Sequence, residues 1–239
     1  MTRLEKKIIS EIDKANQKWQ LFAEDDRLLL AVSGGKDSLA LFHLMQYYSV
    51  RLTAIHIRLS SRFKIDFINQ NNLHDNIEVI ETDIYDKIKE GESSLNTCFI
   101  CSRERRKEIL KYAEQRGISK IALGHHRNDV IETLLLNLFF SREISTLVPK
   151  QDLFRGNYKI IRPLYTVDEK LLISLGKEKG WYLNSPACEE ADSSKRNYLR
   201  KLLVQIEAEH PQIDIRDNIF SSLQSVKSPF LPFPVREEI

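Results

Sequence analysis

The sequence predicts an α/β protein built on a five-stranded parallel sheet, with helices on both faces and a short helical segment at the carboxyl end. Short apolar runs, as expected of strands buried on both faces, alternate with longer stretches whose apolar residues recur at helical spacing. Such alternation is typical of a parallel sheet with helical crossovers. Ligands of these sheets bind beyond the carboxyl ends of the strands.

The elements can be assigned in order along the first half of the chain. Residues 3–18 are predicted to form an amphipathic helix, because apolar residues recur there every three or four positions. Residues 28–32 are a continuous apolar run and predict the first buried strand. The predicted elements that follow are a helix at 39–45, strands at 52–57 and 77–80, a helix at 64–73, and a loop with helical turns at 83–97.

The second half continues the same pattern. The predicted elements are helices at 101–116, 128–140 and 167–179, strands at 120–123 and 158–161, an irregular polar segment at 141–157, and helical stretches at 193–209 and 215–226. Gly117 and Gly180 are placed to end two of these helices. We therefore predict an amino-terminal helical segment at 1–27, a sheet domain at 28–180, and a helical extension at 181–239 that carries Cys188.

Composition restricts the class of protein. The chain has 239 residues, 42% of them hydrophobic, and a formal net charge of only +2. No apolar run approaches the ~18 residues that a membrane span needs, so no membrane partner is expected. The three cysteines are an odd number, which argues against a closed disulfide framework, and the charged amino terminus is not a secretory signal. These features predict a cytoplasmic protein.

A short polar segment after the first predicted strand has the chemistry of a phosphate-binding loop. It reads Ser33, Gly34, Gly35, Lys36, Asp37 and Ser38. The two glycines let phosphate oxygens approach main-chain N–H groups, and the start of the following helix favours an anion. The serines add hydroxyl donors, the lysine offsets phosphate charge, and the aspartate suits Mg²⁺. The spacing differs from the Walker and dinucleotide patterns. The segment resembles the signature loop of PP-loop ATP pyrophosphatases, and this resemblance implies a site for ATP with Mg²⁺.

The cysteines suggest a metal site whose metal the spacing leaves open. Cys98 and Cys101 are separated by two residues at the start of a predicted helix, whereas Cys188 is distant in sequence. Buried thiols, a transient disulfide, a structural zinc and an iron–sulfur cluster are all compatible with this pattern. A zinc site would take a fourth ligand, for which His125 and His126 are candidates. A four-iron cluster on three cysteines would leave one iron open.

Several segments together resemble the tRNA 2-thiocytidine synthetase family of PP-loop ATP pyrophosphatases, and the resemblance runs nearly end to end. The segments are the loop at 33–38, residues 98–106, 121–134 and 161–164, Cys188, and residues 220–226. The resemblance implies the adenine nucleotide α-hydrolase-like fold of that superfamily. It also implies that residues 28–180 form the ATP pyrophosphatase domain.

The resemblance further implies a reaction and its partners. ATP would adenylate the C2 carbonyl oxygen of a tRNA pyrimidine, with cytidine 32 as the expected nucleotide, and sulfur would replace that oxygen. A 4Fe-4S cluster would be held by Cys98, Cys101 and Cys188. The partners would be tRNA and a sulfur donor, either a cysteine desulfurase or sulfide, with a homodimer as one option for the assembly.

The same resemblance suggests roles for individual residues. The catalytic residues would be Lys36, Asp37 and Asp129, and the nucleotide-binding residues Ser33, Gly34, Gly35, Ser38, His56, Gly124 and His125. Structural alternatives stay open: His56 and His126 can be core residues, and Asp129 can be a helix cap. Arg162 can bind RNA or phosphate, or it can pair with a carboxylate. The chain departs from the family at Ala191, where a second late cysteine is usual.

Other functions compete with this one. The loop is also compatible with a lysidine-synthetase-like amine transfer with a structural zinc, with thiolation of a uridine or of a small molecule, and with a non-catalytic nucleotide-binding protein. The amine transfer leaves the three cysteines without a role. The presence of Lys36, Asp37 and Asp129 argues against a protein that binds nucleotide but has lost its catalytic activity.

Overall fold

The structure is a computed structural model, and it describes residues 1–90, 97–183 and 195–230. Within these ranges the helices are α1 (Arg3–Trp19), α2 (Lys36–Met45), α3 (Asp66–Gln70), α4 (Ile84–Glu90), α5 (Thr97–Arg116), α6 (Arg127–Phe140), α7 (Glu169–Lys179), α8 (Lys195–Glu209) and α9 (Ile215–Ser222). The strands are β1 (Arg27–Ala31), β2 (Arg51–Arg58), β3 (Ile77–Glu81), β4 (Lys120–Ala122), β5 (Lys150–Leu153) and β6 (Tyr158–Ile161).

The strands form one sheet in the order β3-β2-β1-β4-β6-β5. The first five strands of that order are mutually parallel, which confirms the predicted α/β class and its parallel sheet. β5 is a sixth strand and pairs antiparallel with β6 at the edge. The predicted strand count of five is therefore corrected to six.

The added strand lies in the segment that was predicted to be irregular. β5 is short and partly exposed, and its sequence, Lys-Gln-Asp-Leu, has one apolar residue. Its pairing comes from a tight turn to β6, in which Phe154, Arg155 and Gly156 all take positive φ angles. The formation of such a polar edge strand depends on the turn rather than on burial. Its residues therefore lack the apolar pattern from which a strand is predicted.

Two helix predictions also need correction. The segment at 83–97 was predicted to be a loop with helical turns, but it contains α4, whose Ile84, Tyr85 and Ile88 join an apolar cluster. α5 begins at Thr97 rather than at 101, so that Cys98 and Cys101 both belong to this helix. The remaining predicted helices and strands are present, with ends shifted by a few residues.

Alternate residues of β1 enter separate apolar clusters, which explains its continuous apolar run. Leu28 and Leu30 belong to a large cluster with α1, α2 and α7, whereas Leu29 belongs to a cluster with α5. All three side chains have zero exposure. Burial of each such side chain is worth about 1.5–3 kcal/mol. The strand that precedes the phosphate loop is thus anchored on both faces.

By internal contacts the chain divides into two compact units. The first comprises Met1–Arg127 and Val148–Glu189 and holds the whole sheet, and the second comprises Asn128–Leu147 and Glu190–Ile239. The domain boundaries predicted near residues 27 and 180 stay a prediction. None of the helices in the described part of the chain combines the length and apolar character that crossing a lipid bilayer requires.

A buried carboxylate joins the three helices that flank the phosphate loop. Glu5 of α1 is 1% exposed, and its Oε1 lies 2.6 Å from Nε2 of His43 in α2 and 2.7 Å from Nζ of Lys179 in α7. Tyr47 donates a further hydrogen bond of 3.2 Å to the same oxygen. Burial raises the pKa of Glu5, but the hydrogen bonds from Lys179 and His43 outweigh it and hold the pKa far below its ordinary value.

We expect Glu5→Gln to lower the free energy of unfolding by about 2 kcal/mol, because Lys179 and His43 lose a charged partner inside the protein. The measurement is urea denaturation at neutral pH. A carboxylate with a depressed pKa stabilises the fold above its ordinary pKa of 4.5, and that contribution is lost as the pH falls. The difference between wild type and variant should therefore shrink in acid.

Glu11→Gln is the matched control on the same helix. Its partner Lys14 is exposed, so loss of that ion pair should change stability by less than about 0.5 kcal/mol. Equal losses in the two variants would contradict the proposed contribution of the buried carboxylate.

Candidate active site

The phosphate loop is a tight turn between β1 and α2 that its own serines close. Oγ of Ser38 donates a hydrogen bond of 2.9 Å to the carbonyl of Gly35, and it lies 3.1 Å from both the N and the Oγ of Ser33. Gly34 takes a φ of 86°, which disfavours other residues. The N-cap residue of α2 is Gly35, which has no side chain to cap the helix. The first N–H groups of α2 are therefore available to an anion.

Gly124 lets the end of β4 approach this loop closely. A Cβ atom built on Gly124 would lie 3.1 Å from the carbonyl carbon and oxygen of Asp37 and from Cα of Ser38. All three are backbone atoms, which cannot swing aside as a side chain can. Gly124 therefore has a steric role, since it admits the backbone of α2. Its predicted role in nucleotide binding stays a prediction.

Four charged or titratable side chains meet beside the loop. Nζ of Lys36 lies 3.1 Å from Oδ2 of Asp37 and 2.8 Å from Oε1 of Glu169. Nε2 of His126, which is 1% exposed, lies 3.5 Å from Oδ1 of Asp37 and 3.9 Å from Oε1 of Glu169. The structure therefore brings together Lys36 and Asp37, which the sequence predicted, with Glu169, which it did not.

The pKa values in this cluster favour charged side chains. Burial lowers the pKa of Lys36, but Asp37 and Glu169 outweigh it, and the net pKa is raised. Burial raises the pKa of Asp37, but His126 and Lys36 outweigh it, and the net pKa is lowered. At neutral pH the loop thus presents an ammonium and a carboxylate side by side.

Asp37 has one oxygen that suits a metal ion. Oδ1 is buried, and no group in the described residues donates it a hydrogen bond of good geometry. Nor do three His, Cys, Asp or Glu side chains of the described residues converge as a metal-binding set. One carboxylate oxygen together with nucleotide phosphates is a usual environment for Mg²⁺ in proteins. The residues present fit a Mg²⁺ ion that arrives with ATP.

His56 makes contacts typical of a core residue. Its Nδ1 lies 2.7 Å from the carbonyl oxygen of Val32 and therefore carries the proton that this hydrogen bond needs. The ring packs edge-on against Phe67 with centroids 5.0 Å apart. Burial lowers the pKa of His56, and the nearby charges of Arg105 and Arg58 lower it further. A role in nucleotide binding stays a prediction for His56, as it does for the half-buried His125.

The predicted cysteine ligands are only partly described. Cys101 is half-buried on α5, and Nη2 of Arg105, one turn further along, lies 3.9 Å from its sulfur. The side chain of Cys98 and the whole of Cys188 lie outside the described residues, so the three-cysteine set stays a prediction.

Asp129 lies in the second unit, where it forms an ion pair. Its Oδ1 lies 3.2 Å from Nη1 of Arg196, and the neighbouring buried Glu132 accepts a hydrogen bond of 2.6 Å from Nε of Arg200. These pairs join α6 to α8. The predicted catalytic role of Asp129 stays a prediction.

Arg162 has a partner that the sequence did not suggest. The side chain is 3% exposed, and its Nη1 donates a hydrogen bond of 2.5 Å to the carbonyl oxygen of Val148. Nη2 donates another, of 3.3 Å, to the side chain of Gln151 in β5. Arg162 therefore fastens the edge hairpin. These two contacts are with a backbone carbonyl and a side-chain amide, and a role of Arg162 in binding RNA or phosphate stays a prediction.

Comparison with known proteins gives consistent results. The family described as a PP-loop domain matches residues 4–207. A tRNA-cytidine(32) 2-sulfurtransferase of Shewanella pealeana is 33% identical over 94% of this chain and 75% of its own length. The protein of that name from Coxiella burnetii is 31% identical over 94% of this chain and 91% of its own length.

Among solved structures, a U34-tRNA thiolase from Methanococcus maripaludis with its 4Fe-4S cluster superposes with a TM-score of 0.72. The match covers 92% of this chain and 80% of that one, at 19% sequence identity. At this identity the likeness shows a shared fold.

We expect Gly124→Ala to weaken ATP binding about tenfold, because the new methyl group must displace the backbone of Asp37 and Ser38, and such overpacking costs about 1–3 kcal/mol. Isothermal titration calorimetry with ATP and Mg²⁺ measures the change. The control is Gly176→Ala in α7, whose Cβ would make ordinary contacts of 3.7 Å with Trp181 and 4.0 Å with Lys36. Comparable losses in both variants would argue against the close approach at Gly124.

Proposed function

The chain belongs to the tRNA-cytidine 2-sulfurtransferase family of PP-loop proteins, and we propose that it is an ATP-dependent enzyme that thiolates a tRNA pyrimidine. Cytidine 32 is the expected nucleotide, because it is the one in the names of relatives that match almost the whole chain. The observation that carries the proposal is the closed glycine loop beside the Lys36–Asp37 pair. That geometry suits a triphosphate and its metal ion.

The first step proposed is adenylation. The C2 oxygen of the pyrimidine attacks the α-phosphorus of ATP, the bond to the bridging oxygen of the β-phosphate breaks, and pyrophosphate leaves. The backbone N–H groups of α2 and the Lys36 ammonium neutralise the phosphate charge that builds up. Asp37 would hold the Mg²⁺ ion, which supplies further positive charge at the phosphates.

The second step replaces oxygen with sulfur. A sulfide sulfur attacks C2, the C2–O bond breaks, and AMP leaves with that oxygen. Cys98, Cys101 and Cys188 would hold the 4Fe-4S cluster, which when bound supplies an open iron for the incoming sulfide. Either a cysteine desulfurase or free sulfide can be the sulfur source.

A basic face on α5 supports an RNA partner. Arg103, Arg106 and Lys107 are exposed there, and they lie two to six positions beyond Cys101. The carboxylate of Glu104 pairs with both Arg103 and Lys107, which reduces the excess positive charge of this face. Contacts of such residues with phosphates would make tRNA binding weaken as salt increases. We also propose a cytoplasmic location, where tRNA is found.

We expect the purified protein, incubated without oxygen with ATP, Mg²⁺, sulfide and unmodified tRNA, to form 2-thiocytidine and release one AMP for each thiolated nucleotide. Mass spectrometry of the digested nucleosides identifies the product. The Asp37→Ala variant should release no pyrophosphate, since the metal ion loses its ligand. If the product were a thiolated uridine, the target nucleotide would be uridine rather than cytidine. If ATP turnover needed no tRNA, the proposal of an RNA substrate would be refuted.

We expect protein purified without oxygen to be brown, with a broad visible absorption that air abolishes, as a 4Fe-4S cluster requires. Cys188→Ala should lose this absorption and the thiolation activity but keep its affinity for ATP, whereas Ser193→Ala nearby in sequence should keep all three. A colourless wild-type protein with stoichiometric zinc would refute the cluster.

A further inference from the structure

Glu169 contacts the ammonium of the phosphate loop, although no motif marks it in the sequence. Nζ of Lys36 lies 2.8 Å from Oε1 of Glu169 and 3.1 Å from Oδ2 of Asp37. A lysine ammonium has three donors and can serve both carboxylates at once. The side chains of Glu169 and Asp37 are 22% and 27% exposed, so water screens these contacts only in part. The shorter contact of Lys36 is with Glu169.

The charge balance of this group depends on Glu169. Lys36 and Asp37 alone would form a neutral pair, in which the ammonium satisfies the carboxylate that a metal ion needs. With Glu169 the group has two carboxylates for one ammonium and an excess of negative charge. The His126 ring, which is 1% exposed, lies within 3.9 Å of both carboxylates. An excess of negative charge favours a divalent cation at this place.

The position of Glu169 is fixed by its helix. Glu169 is the first residue of α7, whose N-cap residue Asp168 accepts a hydrogen bond of 2.8 Å from the N–H of Lys170. Leu172 and Leu175 hold the helix in the large apolar cluster with zero exposure. The carboxylate of Glu169 is therefore presented to the loop by a rigid element.

The stem of Lys36 lies along the same helix. A Cβ atom on Gly176 would be 4.0 Å from Cβ of Lys36, whereas the ammonium of Lys36 reaches Glu169 about two turns nearer the start of α7. The side chain thus extends along α7 toward Glu169. This direction brings the ammonium to Glu169 while it keeps a hydrogen bond of 3.1 Å with Asp37, so the two carboxylates share it.

We propose that Glu169 is a positioning residue that shares the Lys36 ammonium with Asp37, and so keeps Asp37 available to the Mg²⁺ ion that accompanies ATP. The inference rests on the proposed function only in that ATP and Mg²⁺ bind at this loop. Glu169 acts through Lys36 and Asp37.

Glu169→Gln tests the proposal, because glutamine keeps the size and can still accept a hydrogen bond from Lys36 but lacks the charge. Calorimetry measures ATP affinity with excess Mg²⁺ and with excess EDTA, and the ratio of the two is the gain due to Mg²⁺. We expect this gain to fall about tenfold, since the loss of a unit charge a few ångströms away weakens the binding of a cation by about that factor. Glu178→Gln, exposed on the same helix, should leave the gain unchanged.

A merely structural role would weaken ATP binding equally with Mg²⁺ and with EDTA, and that result would overturn the inference. If thermal unfolding shows that Glu169→Gln does not fold, Glu169→Asp takes its place. Aspartate withdraws the carboxylate by one methylene and should reduce the gain by a smaller factor, so an unchanged gain would also overturn the inference. A wild-type protein that binds no ATP in either condition would overturn the proposed function and this inference together.

Discussion

The packing of α2 against α7 is the constraint on which the candidate active site depends. Lys36 and Glu169 join the first residues of the two helices, and near their last turns Glu5 joins His43 to Lys179. α2 is thereby held at both ends while its first N–H groups stay available. A loop that must receive a highly charged ligand gains from such support, because the binding groups need no reorganisation.

Much of the fold could be predicted from the sequence because its central strands are buried on both faces. In β1 the three leucines fill two clusters, and burial of that kind needs a continuous apolar run that is easily recognised. The loop after it could be predicted for a related reason. A glycine pair at a strand end commonly forms a turn, but together with a lysine, an aspartate and two serines at a helix start it favours an anion site.

The features that escaped prediction depend on contacts distant in sequence. β5 is polar and pairs through a tight turn, and Arg162 donates to a backbone carbonyl, so neither leaves a periodic pattern. Glu169 is one of many glutamates on helices, and only the packing of α7 on α2 distinguishes it. The cysteine ligands could be suggested from spacing and resemblance, but their common site depends on residues beyond those described.

The contact between Lys36 and Glu169 joins residues 133 positions apart, and it bears on how the protein is made. Synthesis proceeds from the amino end, so the phosphate loop leaves the ribosome long before the helix that supports it. Contacts between such distant residues form late in folding, after the entropy of closing the intervening chain has been lost. A nascent chain can therefore carry a finished β1 and α2 and still lack a competent nucleotide site.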